Sequence, residues 1–147
     1  MSLIGKILPQ QNVLADVDVS SKKRLFEQVG LMVENSHGIA RSDIFDSLFA
    51  REKLGSTGLG QGIAIPHGRI KGLKQAAGAF IRLPAPIPFD SPDGRPVNLL
   101  FVLLVPEQAT EQHLQILSEL AQRFSDRAFR DALAAAPDAE SIVALFS

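Results

Sequence analysis

Val97–Val105 reads VNLLFVLLV, apolar at every position but Asn98. A half-buried strand alternates apolar and polar residues, whereas an unbroken run suits a strand covered on both faces, as in an α/β sheet with helices above and below. The run is much shorter than the ~18 apolar residues of a membrane span. It predicts a central strand, and the flanking segments should supply its partners and its covering helices.

Just upstream lies PAPIPFDSPDGRP, Pro84–Pro96, a proline-rich connection in which Ser91–Pro92–Asp93–Gly94 suits a type I turn. Before it, Ala76–Leu83 and Ile63–Ile65 read as strands. Still further upstream, Leu25, Phe26, Val29, Met32 and Val33 recur at helical spacing between the polar start Ser20–Ser21 and the stop His37–Gly38. A second helix, marked by Ile44, Leu48 and Phe49 in SDIFDSLFAREK, delivers Arg51 to the glycine-rich loop GSTGLGQG. Downstream of Pro106 a helix begins near Thr110, with Leu114, Leu117, Leu120, Ala121 and Phe124 on one face. Two shorter helices follow, around Phe129–Ala135 and Asp138–Phe146. The expected fold is α/β, a mixed β-sheet sandwiched between helices, in a single domain over residues 1–147.

A chain of 147 residues buries roughly two-thirds of its unfolded surface and needs no staples. It is 46% hydrophobic and 21% charged, with every aromatic residue a phenylalanine, which excludes the disordered class. Its 15 basic and 16 acidic residues give a net charge of -1, with no Lys/Arg cluster, which argues against nucleic acid or anionic lipid as a partner. The absence of cysteine excludes disulfides, thiol nucleophiles and thiolate metal sites. The start MSLIGKILPQQNVL lacks a signal-peptide run, so the expectation is a cytoplasmic protein without membrane insertion.

The candidate chemistry centres on GQGIAIPHGR, Gly60–Arg69. Pro66 fixes its own φ and biases Ile65 toward β, so the chain leaves the strand on a defined path before it reaches His67, and Gly68 keeps the ring uncrowded. His67 then falls at the carboxyl end of a strand, where open α/β sheets bind ligands, although a lone histidine near an apolar strand is more often a satisfied structural residue. With Thr110 as N-cap, His113 falls in the first turn of its helix, where unpaired N–H groups and the dipole favour an anion. Two imidazoles, the Arg51 guanidinium and a helix N-terminus would together suit a phosphoryl group. Ser56 and Thr57 are further candidates as hydroxyl donors to it, and His37, at a helix C-terminus, is assigned no chemistry. The alternating Gly58, Gly60 and Gly62 match neither GxGxxG nor a P-loop.

On the segments AREKLGSTGLGQGIAIPHGR, PIPFDSPDGRPVNLLFVLLVP and EQHLQILSELAQRF the sequence resembles the enzyme IIA domains of the fructose–mannitol class of the bacterial phosphotransferase system, most closely its nitrogen-regulatory branch. The resemblance implies a phosphocarrier with His67 as phosphoryl acceptor, His113 as the second histidine beside it and Arg51 as the site arginine. It also implies an HPr-like donor and regulatory protein targets bound according to phosphorylation state, in control of nitrogen- and potassium-related metabolism. No cofactor and no metal are expected. The alternatives are a sugar-transport IIA component that passes its phosphate to a IIB domain, a zinc module and a binding module in which His67 stays unmodified. The zinc reading lacks HExxH and cysteine. A docking face around His67 is expected to include Leu59 and Ile63.

Overall fold

The computed structural model describes residues 3–108 and 111–147. After a short 3₁₀ turn at Gln10–Asn12, the chain runs β1 (Val13–Ala15), α1 (Lys22–His37), α2 (Arg41–Leu54), β2 (Gly58–Gly60), β3 (Ile63–Ala64), β4 (His67–Ile70), β5 (Ala77–Ile87), β6 (Val97–Pro106), α3 (Glu111–Phe124), α4 (Arg127–Ala135) and α5 (Ala139–Phe146). The six strands form one mixed sheet in the order β1-β5-β6-β3-β2, with β4 also paired to β6. Strands β5 and β6 are antiparallel, while β1 runs parallel to β5, and β3 and β4 run parallel to β6.

The apolar run on β6 is central, and its two faces feed two cores. Leu100, Val102 and Leu104 pack with α1 and α2, joining Leu25, Phe26, Val29, Ile44 and Leu48. Leu99, Phe101, Leu103 and Val105 face the opposite way into a core built with Ile116, Leu120, Leu133 and Phe146. The period of two is therefore intact; it is hidden in the sequence because both faces are covered.

Helix α1 starts and stops where its end residues dictate. The Ser21 side chain accepts from the Arg24 backbone N–H, and Gly38 closes the helix in the left-handed region at φ 71° while its N–H bonds the Glu34 carbonyl. The Ser91–Gly94 turn forms as expected, with the Gly94 N–H donating to the Ser91 carbonyl at 2.9 Å.

Several elements differ from the expectation. Strand β5 continues through Pro84 and Pro86 to Ile87, and part of the glycine loop forms β2. The histidine does not end the Ile63–Ala64 strand but opens β4. Ile63 pairs with Leu99 and His67 with Leu103, so the same register against β6 holds on both sides of Ile65–Pro66. The interruption falls at the proline, which has no N–H to give to a ladder, yet its carbonyl still accepts from the Leu103 N–H at 2.9 Å.

Candidate functional site

Strand β4 is short, lies beside β6, and presents alternate residues to the two helical layers. Gly68 and Ile70 are buried while His67 is half-buried and Arg69 exposed, so His67 and Arg69 share the face toward α3. Gly68 turns the other way, onto α2. A Cβ there would collide with the Ser47 hydroxyl, and that hydroxyl donates to the Arg69 carbonyl at 2.8 Å. Glycine is what allows α2 to lie this close to the strand.

That contact sets the rest of the constellation. Arg51 is one helical turn beyond Ser47 on the same face of α2, so docking Ser47 against β4 carries Arg51 alongside His67. From the other layer α3 begins at Glu111, which puts His113 in its first turn; the expected N-cap, Thr110, lies outside the described residues. His67, His113, Arg51 and Arg69 line one cleft of about 460 Å³, together with Leu54 and Leu114. Larger clefts of about 710 and 670 Å³ lie elsewhere, one between α1 and α2 and one beside His37, and neither brings two imidazoles together.

The ring of His67 is fixed by a contact between Nδ1 and the Ile65 carbonyl at 3.0 Å. A carbonyl can only accept, so Nδ1 carries the proton, and in the neutral ring Nε2 holds the lone pair. The site thus contains an imidazole whose tautomer is selected by the backbone just before Pro66. Arg51 Nη1 donates to the Gly55 carbonyl at 2.8 Å, which places the guanidinium at the end of its own helix. Arg69 Nη1 reaches the Glu107 carbonyl at a longer 3.4 Å.

Ser56 and Thr57 are not in this cleft. The Ser56 hydroxyl donates to the Phe89 carbonyl at 2.5 Å, and the buried Thr57 hydroxyl donates to Glu52 Oε1 at 2.6 Å. The loop turns both inward, onto the Phe89 carbonyl and the Glu52 carboxylate. His37 is outside the cleft too, with its Nδ1 2.7 Å from the Ser36 hydroxyl.

The expected apolar face changes as well. Ile63 is buried in the core, and Leu59, although exposed, lies with it on a separate cleft beside Ala121 and Phe124. The large exposed apolar residues on the histidine cleft are Leu54, 85% exposed, and Leu114, 63% exposed. Among the described residues no helix is long and apolar enough to cross a membrane.

A family model described as "Phosphoenolpyruvate-dependent sugar phosphotransferase system, EIIA 2" matches residues 6–147. A nitrogen regulatory protein of Pseudomonas aeruginosa is 46% identical over 143 residues, 97% of this chain and 93% of that protein. A fructose-specific EIIA component of Haloferax volcanii is 32% identical over 140 residues, 95% of this chain and 91% of that one. Among solved structures, nitrogen regulatory protein IIA-Ntr from Neisseria meningitidis superposes with a TM-score of 0.94 at 55% identity, covering 99% of this chain and all of that one.

Proposed function

Because the chain belongs to the phosphoenolpyruvate-dependent sugar phosphotransferase system EIIA 2 family, we propose that it is a histidine phosphocarrier in which Nε2 of His67 takes a phosphoryl group from an HPr-like donor. The observation that carries this is the Nδ1–H bond from His67 to the Ile65 carbonyl, which leaves Nε2 as the basic nitrogen. Nε2 attacks phosphorus as the donor's N–P bond breaks, and the donor imidazole leaves with that bond's electron pair. The proton stays on Nδ1, so the phosphorylated ring is cationic and its bond to the Ile65 carbonyl strengthens. Atoms and charge balance between the two imidazoles without a cofactor.

Arg51 and His113 stabilise charge on the transferring group without bearing the stable adduct, assisted by the first turn of α3. The donor docks on the rim made by Leu54 and Leu114. In keeping with the nitrogen regulatory relatives, the output is control: phosphorylation adds up to about two negative charges to a face whose rim is apolar, so regulatory proteins of nitrogen- and potassium-related metabolism distinguish the two states. The setting is the cytoplasm, and residues 1–147 act as one domain.

The identity to a fructose-specific component favours one second reading, transfer onward to a IIB domain and a sugar. Two measurements separate them: capture of partners by phosphorylated and unphosphorylated protein, and sugar phosphorylation by membranes of the source cell with and without this chain. Regulation predicts partner sets that differ by state and sugar phosphorylation that does not depend on the chain. Identical partner sets together with sugar phosphorylation that requires His67 would establish the transport reading instead.

A further inference from the structure

Directly after Arg51, the buried carboxylate of Glu52 occupies a position that local physics opposes. Its side chain is only 5% exposed, and it sits in the last turn of α2, where the negative end of the helix dipole disfavours an anion. Three donors offset these costs. Lys22 Nζ reaches Oε2 at 2.9 Å, the Thr57 backbone N–H reaches Oε2 at 3.1 Å, and the Thr57 hydroxyl reaches Oε1 at 2.6 Å. Lys22 is itself held over the Phe89 ring, 4.3 Å from its centroid, and the Phe89 carbonyl also takes the Ser56 hydroxyl.

A buried ion pair is weak evidence for stability, since apolar residues of similar volume often serve as well. What this one fixes is geometry. The Gly55 carbonyl that accepts from Arg51 Nη1 belongs to the loop that Glu52 holds through Thr57, two residues further on. The same carboxylate ties that loop to the N-terminus of α1 through Lys22. Without the Glu52 carboxylate the loop keeps the Gly55 N–H bond to the Glu52 backbone carbonyl at 3.2 Å and the Ser56 bond to the Phe89 carbonyl, but loses both ties at Thr57, two residues from the guanidinium's anchor.

We propose that Glu52 is a positioning residue that, with Lys22 and Thr57, sets where Arg51 meets the phosphoryl group; this rests on the role given to Arg51 above. The chain of contacts runs from the Lys22 ammonium to the Glu52 carboxylate, to the Thr57 N–H and hydroxyl, through the loop to the Gly55 carbonyl, and so to Arg51.

The test is a double-mutant cycle on single-turnover transfer from a phosphorylated HPr-like donor, using wild type, Glu52→Gln, Arg51→Ala and the double variant. Glu52→Gln should lower the maximal rate roughly tenfold, with little change in the donor concentration for half-maximal rate. In the Arg51→Ala background the same change should have no further effect. Thr57→Val, which removes the hydroxyl bond from the other end, should behave likewise and serves if Glu52→Gln does not fold. If Glu52→Gln and Arg51→Ala each slow transfer but their effects multiply, Arg51 keeps its role and the positioning proposal is overturned. Transfer at the wild-type rate in Arg51→Ala would instead overturn the reading of Arg51, and the positioning proposal with it.

Discussion

The hydrogen bond from His67 Nδ1 to the Ile65 carbonyl makes one ring nitrogen a donor and leaves a lone pair on the other, the nucleophile of the proposed transfer. Arg51→Ala and His113→Ala should each slow transfer by ~10²–10³, the usual cost of losing a preorganised electrostatic group, while remaining folded by circular dichroism. Gly68→Ala probes the same site sterically. Its Cβ would run into the Ser47 hydroxyl, so unfolding in urea should register a loss of about 1–3 kcal/mol and transfer should slow as α2 is pushed off β4. Ser47→Ala in the same chain should recover part of both. Of these residues, His67, His113 and Arg51 stood out in the sequence by residue type, by punctuation with Pro66 and Gly68, and by resemblance. Arg69 was readable by strand alternation from His67, and Leu54 by helical spacing from Arg51, once the elements were known. The inward turn of Ser56 and Thr57 was not readable, because it depends on Glu52 and on Phe89, which is distant in sequence.

Among the elements, legibility followed length and burial. The unbroken apolar run of β6 and the capped, periodic α1 were plain in the sequence, whereas the Val13–Ala15, Gly58–Gly60 and His67–Ile70 strands are too short for any period to register. Pro84 and Pro86 argued against strand, yet they fall in the stretch of β5 where its register with β6 shifts, between Arg82 and Ile87, and no ladder donor is required there. Arg82 shows what an element can require of a buried charge. It forms a two-pronged pair with Asp16, and its Nη1 donates to the carbonyls of Leu133, Ala134 and Ala136 at the end of α4. Arg82→Leu should cost about 3 kcal/mol in urea unfolding with an unchanged m-value; a loss below about 0.5 kcal/mol would contradict this role. The element ends also contribute to the acid limb of stability. Backbone N–H donors from Gln61 and Arg95 hold the Asp93 carboxyl below its ordinary value, the Ser141 hydroxyl and N–H do so for the N-cap Asp138, and the Arg41 N–H and guanidinium do so for Glu34. Each folded-state pKa lies below the unfolded one, so the contribution is complete above the ordinary carboxylate range and is lost as pH falls through the depressed values. Asp93→Asn and Asp138→Asn should flatten the loss of thermal stability below about pH 4; unchanged acid limbs in both would contradict the assignment.

The whole molecule is a sheet with a separate apolar core on each side, and the histidine cleft lies where β4 is joined by α2 from one layer and α3 from the other. On the second side Phe146, fully buried at the end of α5, gathers the rings of Phe80, Phe101, Phe124 and Phe129 at centroid distances of 5.3–6.1 Å. Phe146→Ala should cost about 3–5 kcal/mol by urea unfolding, whereas Leu54→Ala, at an 85% exposed site, should leave stability within about 0.5 kcal/mol while weakening donor docking. Stability and docking are thereby separable by position in the fold. On the proposed reading, this architecture holds one reactive imidazole for one phosphoryl group. The most direct test is the intact mass of wild type, His67→Ala and His113→Ala after incubation with phosphoenolpyruvate and the general phosphotransferase components. One acid-labile phosphoryl group is expected on wild type, the same group gained slowly by His113→Ala, and none on His67→Ala; labelling of His67→Ala to the extent of wild type would contradict the assignment.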